Sequence, residues 1–442
     1  MDLCITKDPN PCRVIGVLDD GVNSLSATAL AYLRTADVVI GGSRTLALLD
    51  AEIRAGATTH DLTGQLKAVP QWVRTARDAQ QSCVVLATGD PLCHGIAPYL
   101  AQHVCLDALD ILPNLSTLQV ACARVGLAWQ DARIVSVHSK DAGEWVRGSH
   151  PGHGLYALAQ AVRSQHRLLV LTSPDNSPDR IARLLLTEGL GGDFHMAVAE
   201  NLLQADERVY TQLSPEQAST MRFADLNVVL LWRSQVPTVP VLLGLPDHAF
   251  AQRQPEKGLI TKQEVRAVSL ARLQLRANSV VWDIGAGSGS VGLEAARLCP
   301  LGHVYAIEKN EADHAIAQSN HAAFGVSNYS LQHGKAPEGL DQWPDPDAVF
   351  IGGSGGELTE LIALILSRLR AGGWLVMNFV TLENLATATV ALQAAGAPWD
   401  VVQLQASRSK PILHMHRMSA ENPVWIVCAQ RSAMPTQGIP ND

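Results

Sequence analysis

Apolar residues fall in short blocks along this chain, and the polar residues between them gather into turns at a pace that predicts alternating strands and helices. Val280-Val-Trp-Asp-Ile284 reads as a buried parallel strand, and Val291 to Leu298 as the helix after it. Val304-Tyr-Ala-Ile-Glu308 and Asp347-Ala-Val-Phe-Ile351 read as further strands, and from Ile260 to Gln430 the alternation keeps the pace of one doubly wound parallel sheet. The amino-terminal part predicts a strand at Val14 to Leu18, a helix capped by Ser24 or Ser26 and running through Arg34, and a strand at Val38 to Ile40 that closes a β-α-β unit. Val84 to Ala87 predicts another strand, ended by Thr88-Gly-Asp-Pro-Leu92, while Leu112-Pro-Asn-Leu-Ser-Thr117 opens a helix from Leu118 to about Gly126. After an apolar strand from Leu226 to Trp232 the chain turns proline-rich. That change places a linker at 233–256, between an amino-terminal domain at 1–232 and a carboxy-terminal domain at 257–430. Residues 431–442 are polar and predict a frayed tail.

The turn after Ile284 carries the chemistry. Gly285, Gly287 and Gly289 alternate with Ala286 and Ser288, and glycine lets backbone amides approach a ligand closely. Glu308 ends the next strand about 20 residues after Gly287, where an acid can take both hydroxyls of a ribose. A dinucleotide fold would share that acid, but its fingerprint needs a further glycine where this chain has Ser290. Gly-x-Gly-x-Gly after Asp283 therefore favours S-adenosylmethionine. That cofactor has no pyrophosphate to seat on the helix N-terminus, so Asp283 can face its cationic end.

Composition narrows the class further. A chain of 442 residues, 47% hydrophobic and 5% aromatic, suits more than one α/β domain. Lys and Arg number 34 against 42 Asp and Glu, a net charge of -8. No domain-wide basic face can then neutralise phosphates, which argues against nucleic acid as a partner. The 8 cysteines form no Cys-x-x-Cys pair and do not cluster with histidine, so neither a metal site nor a disulfide framework is signalled. No apolar run reaches the roughly 18 residues needed to cross a bilayer. The start, Met1-Asp-Leu-Cys-Ile-Thr, lacks the form of an export signal. A soluble cytoplasmic protein with no membrane partner is expected.

Two sets of motifs point to a family. Val-Ile-Gly-Val-Leu-Asp-Asp-Gly21, Ala-Asp-Val-Val-Ile-Gly-Gly-Ser-Arg44, Ala-Thr-Gly-Asp-Pro-Leu92 and Pro-Asn-Leu-Ser-Thr-Leu-Gln119 are similar to tetrapyrrole methylases of the precorrin-6 branch. Ile-Thr-Lys-Gln-Glu-Val-Arg266, Asp-Ile-Gly-Ala-Gly-Ser-Gly-Ser290, Gly-Lys-Ala-Pro-Glu338, Val-Phe-Ile-Gly-Gly-Ser-Gly-Gly356 and Asn-Pro-Val-Trp425 resemble the partner domain. From about Arg13 to Gln430 the chain thus resembles the precorrin-6B C(5,15)-methyltransferase (decarboxylating) family of cobalamin biosynthesis. The fold implied is a two-lobed tetrapyrrole methylase domain followed by a Rossmann-like class I methyltransferase domain.

The resemblance implies two S-adenosylmethionine sites: methylation at meso carbon 5 by the first half, and methylation at carbon 15 with decarboxylation of the ring C acetate by the second. It places Gly285 to Gly289 along the methionine, Glu308 at the ribose and Ala336 by the adenine, with Thr261 in the same site. Thr261-Lys-Gln-Glu264 is also a complete capping box for the following helix, and both readings stand. In the first half it sets the cofactor against Gly89, Asp90, Pro91, Ser116 and Thr117. Both halves resemble self-associating families, which implies a homo-oligomer. The tetrapyrrole carries several carboxylates, so the basic run holding Arg408, Lys410, His414, His416 and Arg417 is expected to clamp them. His150, His153, His414 and His416 have too few potential co-ligands for a metal. Conventional acid–base residues are not assigned, because the macrocycle supplies its own nucleophilic carbon. The rivals are a dehydrogenase, a non-enzymatic tetrapyrrole carrier, and a methyltransferase acting on RNA, protein or the cobalt-containing intermediate.

Overall fold

The computed structural model describes residues 10–233, 235, 241–253, 260–353 and 356–431. Residues 432–442 of the expected tail, parts of the expected linker, and Ser354 and Gly355 of the last glycine motif lie outside the described residues. The described chain divides into two compact units. One holds residues up to Glu144 with those from Ala161 to Gln235, and the other holds Trp145–Gln160 with residues from Val241 onward.

The first unit contains two sheets. Strands β1 (Cys12–Val17), β2 (Val38–Gly41), β3 (Thr58–Asp61), β4 (Cys83–Thr88) and β5 (Leu109–Leu112) form a parallel sheet ordered β3-β2-β4-β1-β5. The apolar runs of the three inner strands β1, β2 and β4 are buried on both faces, as parallel strands covered by helices must be. Ser26 caps the helix Ala27–Thr35 by accepting from Ala29 N. The second sheet is ordered β6-β7-β10-β8-β9, from β6 (Arg133–Ser136), β7 (Arg167–Leu171), β8 (Phe194–Glu200), β9 (Arg208–Leu213) and β10 (Asn227–Arg233), and is antiparallel except for β6 and β7.

The second unit is built on β11 (Val280–Ile284), β12 (His303–Glu308), β13 (Tyr329–His333), β14 (Ala348–Ile351), β15 (Trp374–Phe379), β16 (Trp399–Leu404) and β19 (Val424–Gln430), ordered β13-β12-β11-β14-β15-β19-β16. The order reverses between β11 and β14, so the loops after these neighbours part and leave a crevice at their carboxyl ends. The sheet departs from the expected all-parallel form. After β16 the chain folds into an antiparallel hairpin, β17 (Ser407–Ile412) and β18 (Met415–Ala420), and returns as β19 antiparallel to both β15 and β16. Strand alternation sends Trp282 and Ile284 into one core layer, with Val349 and Met377. Val281 enters the other, with Val291, Val304 and Tyr329. No helix among the described residues is long and apolar enough to cross a membrane.

Candidate active site

The glycine loop is shaped by crowding from two sides. Gly285 N and Ala286 N both donate to Ile307 O, at 3.0 and 3.1 Å, which folds the loop back over β12. A Cβ added to Gly285 would lie 2.5 Å from Gly353 O, and φ there is +71°, so the position requires glycine twice over. Gly289 is the left-handed N-cap of the helix Ser290–Leu298.

Glu308 stands at the mouth of this loop. Its Oε2 accepts from Gly287 N at 2.8 Å and its Oε1 from Asn310 N at 2.8 Å, which fixes the carboxylate at the cavity edge. The cavity has a volume of about 580 Å³ and is lined by Thr261, Gly285, Ala286, Gly287, Glu308 and Ala336 among others. That volume lies within the range of small-molecule sites. The glycine turn, fixed acid and neighbouring Ala336 fit an adenosyl cofactor with a ribose diol.

Three of the expected cofactor residues stand elsewhere. Asp283, Ser288 and Gly289 do not line the cavity. Alternation along β11 points Asp283 with Val281 toward the helix side, where it is 1% exposed. Its Oδ2 accepts from Gly292 N at 3.0 Å, while its Oδ1 is buried without a hydrogen-bond partner. Burial pushes its carboxyl up to about 7, against the lowering effect of the Gly292 amide. Asp283 therefore ties β11 to the first turn of the helix that follows the loop. Its sequence position suggested a charge-to-charge contact with a cofactor, and the side chain is not among those that line the cavity.

Thr261 lines the cavity, but the capping box expected with Glu264 does not form. The helix Gln263–Arg272 starts one residue later, with Lys262 at the N-cap and no side-chain cap. Buried Arg266 takes Thr261 O, and Glu264 turns away to Arg408.

The basic run is not gathered at the cavity. Arg408 donates to Glu264 Oε1 at 3.1 Å and to Asp247 Oδ2 at 2.7 Å, and these carboxylates hold its guanidinium well above its ordinary range. Lys410 and Arg417 face each other across the hairpin, and His414 and His416 lie exposed near its tip. None of the five lines the cavity. The cations that do are Lys262, Lys309, Lys335 and Arg253. Arg253 is bound to Asp313 and Lys335 to Glu357. Sequence reading passed over these lysines because each stands alone, one at the end of each strand or helix rather than in a run. It also passed over Asn378, a single polar residue inside an apolar strand.

In the first unit, the loops after β1, β4 and β5 meet at one sheet edge. Gly89 N donates to Val17 O at 2.7 Å, and a Cβ on Gly89 would stand 3.6 Å from Thr117 N and from Ser116 Cα. A Cβ on Gly16 would lie 2.4 Å from Gly89 O and 3.0 Å from Pro91 Cδ. Gly89, Pro91, Ser116 and Thr117 are thus brought together. Asp90 bends its own loop by accepting from Leu92 N. Ser116 serves a capping box with Gln119. Asn114, missed by the sequence reading, ties the edge by donating to Gly16 O and Ser24 O, both at 3.0 Å. Among the described residues no group of three or more His, Cys, Asp and Glu is arranged to hold a metal ion.

Fold, glycine loop and ribose-type acid together define an S-adenosylmethionine-dependent methyltransferase. The family description "Precorrin methyltransferase domain" matches residues 253–431, and "Tetrapyrrole (Corrin/Porphyrin) Methylases" matches residues 12–216. The chain is 35% identical over 373 residues to the precorrin-6Y C(5,15)-methyltransferase (decarboxylating) of Sinorhizobium sp, covering 84% of each. It is 33% identical over 390 residues to the protein of the same name from Mycobacterium tuberculosis, covering 87% of this chain and 90% of that one. A cobalt-precorrin-6B C(15)-methyltransferase (decarboxylating) of Salmonella typhimurium is 41% identical over 173 residues, which is 39% of this chain and 89% of that protein. The chain belongs to the precorrin-6Y C(5,15)-methyltransferase (decarboxylating) family.

Proposed function

We propose that this chain methylates precorrin-6B at meso carbons 5 and 15 and removes the ring C acetate carboxyl as carbon dioxide, giving precorrin-8, with one S-adenosylmethionine site in each half. One observation carries the reading: a tetrapyrrole methylase module and a precorrin methyltransferase module lie in that order on one chain, and whole-length relatives bear the C(5,15) decarboxylating name. Those relatives are named without cobalt, which favours the cobalt-free macrocycle.

In the second half, Glu308 takes the ribose, Gly285 to Gly287 receive the methionine and Ala336 abuts the adenine. In the first half, Gly89, Pro91, Ser116 and Thr117 form the corresponding edge, chiefly through backbone groups. The cofactor supplies an electrophilic methyl. The protein's part is to align the macrocycle with it and exclude water. Ile260, Val265, Phe350 and Val424 supply the apolar wall of the remaining cavity. Lys262 and Lys309, at the same cavity, suit the macrocycle's peripheral carboxylates.

The test is to incubate the chain with precorrin-6B and methyl-labelled cofactor and weigh the product. Two labelled methyls gained with one carbon dioxide lost is the expected result. An unchanged macrocycle beside a chain that still binds cofactor would sink the reading.

A further inference from the structure

Strand β15 reads Trp374-Leu-Val-Met-Asn-Phe379, and its two faces pack in different core layers. Leu375, Met377 and Phe379 enter one layer; Trp374 and Val376 enter the other, with Val265, Phe350 and Ile426. Asn378 continues the Trp374 and Val376 row, so an amide stands where the strand's period calls for an apolar side chain. A break in binary pattern at a cavity is the mark of a position kept for function rather than packing. Asn378 lines the cavity shared with Glu308 and the glycine loop.

The amide is held in one orientation. Ser269 is fully buried, and its Oγ lies 2.8 Å from Val265 O, 2.9 Å from Asn378 Nδ2 and 3.1 Å from Asn378 Oδ1. A hydroxyl has one proton, and Val265 O is its nearest acceptor. Ser269 Oγ must then accept from Asn378 Nδ2, which leaves Asn378 Oδ1 with acceptor capacity unfilled by its serine neighbour.

We propose that Asn378 seats the methyl acceptor, its Oδ1 accepting a hydrogen bond from a ring N–H conjugated with the carbon that takes the methyl; this rests on the function proposed above. As the macrocycle's π pair forms the new carbon–carbon bond, the carbon–sulfur pair stays on sulfur and the ring nitrogen lone pair shifts into a C=N bond. The N–H then bears positive charge, and a neutral amide oxygen binds it more strongly than in the ground state without removing the proton. When carbon dioxide leaves, the carbon–carbon pair of the lost carboxylate returns to the π system and discharges that cation. A carboxylate at position 378 would strip the proton and quench the electron sink. Ser269 is a positioning residue that acts through Asn378.

Asn378→Leu completes the apolar row, so it should fold and bind S-adenosylmethionine with wild-type affinity by calorimetry. The rate of methylation at carbon 15, the second-half reaction, should fall about a hundredfold at saturating precorrin-6B while methylation at carbon 5 continues. Ser269→Ala, which leaves the cavity wall intact, should lower the same rate about tenfold with cofactor affinity unchanged. It carries the test alone if the leucine variant fails to fold. Wild-type turnover in both variants, or a loss of cofactor affinity equal to the loss of rate, would overturn the assignment. A wild-type chain that leaves the macrocycle unmethylated takes down the functional reading itself, and the seat with it.

Discussion

Replacing Asp283 with asparagine removes one buried ionisation while keeping the oxygen that accepts from Gly292 N. Burial raises the Asp283 carboxyl from its ordinary 3.8 to about 7. The folded chain therefore binds a proton that the unfolded chain has released, and stability associated with this group is full below about pH 4 and lost as pH rises toward about 7. The full effect is about 4 kcal/mol, of which about 3 kcal/mol falls between pH 5 and pH 8. The asparagine variant has no such loss. Its second polar atom takes over the unpartnered position of Oδ1, a cost that does not vary with pH. Urea denaturation of both chains across that pH range gives the test, because titrating groups not coupled to Asp283 cancel in the difference. The variant should gain about 3 kcal/mol on wild type from pH 5 to pH 8. Its affinity for S-adenosylmethionine should not change, since Asp283 does not line the cavity. Parallel stability curves would refute the buried-acid argument, and a large loss of cofactor affinity would restore Asp283 as a direct contact.

Other perturbations separate the remaining claims. Glu308→Gln leaves one of two backbone N–H groups, at Gly287 or Asn310, facing an amide NH₂; cofactor affinity by calorimetry should weaken at least about tenfold, and an unchanged affinity would remove Glu308 from the site. His303 is buried between Tyr156 OH and Ser330 Oγ, each at 2.8 Å, and burial lowers it from 6.5 to about 3. The unfolded chain takes up that proton first, so this stability is present above about pH 6.5 and lost on acidification, about 2 kcal/mol of it between pH 7 and 5. His303→Gln should flatten that acid limb in denaturant melts, and an unaltered limb would count against it. Arg408→Ala should lower stability by about 1 kcal/mol by leaving Glu264 and Asp247 unpaired. The KM for precorrin-6B should stay as it is; a raised KM with intact stability would return Arg408 to the substrate.

What could be read from sequence follows the range of the forces involved. The β11 strand, the glycine turn and Glu308 form one local β-α-β unit, so period and spacing suffice to place them. The direction of Asp283 was also available from alternation along β11, but the pull of its position before the glycines obscured it. Thr261 and Glu264 satisfy the local pattern of a capping box, and a contact with Arg408, 144 residues away, displaces it. Antiparallel β19 depends on where a hairpin sends the chain, which no local period records. Lys262, Lys309 and Asn378 become neighbours of one cavity only through the sheet order.

The central claim is that each half of this chain holds its own S-adenosylmethionine. Titration calorimetry of the wild type and of Gly287→Trp, which fills the second-half loop beside Glu308, addresses it directly. The account predicts two cofactors per chain in the wild type and one in the variant. A single wild-type site that disappears in Gly287→Trp would contradict it.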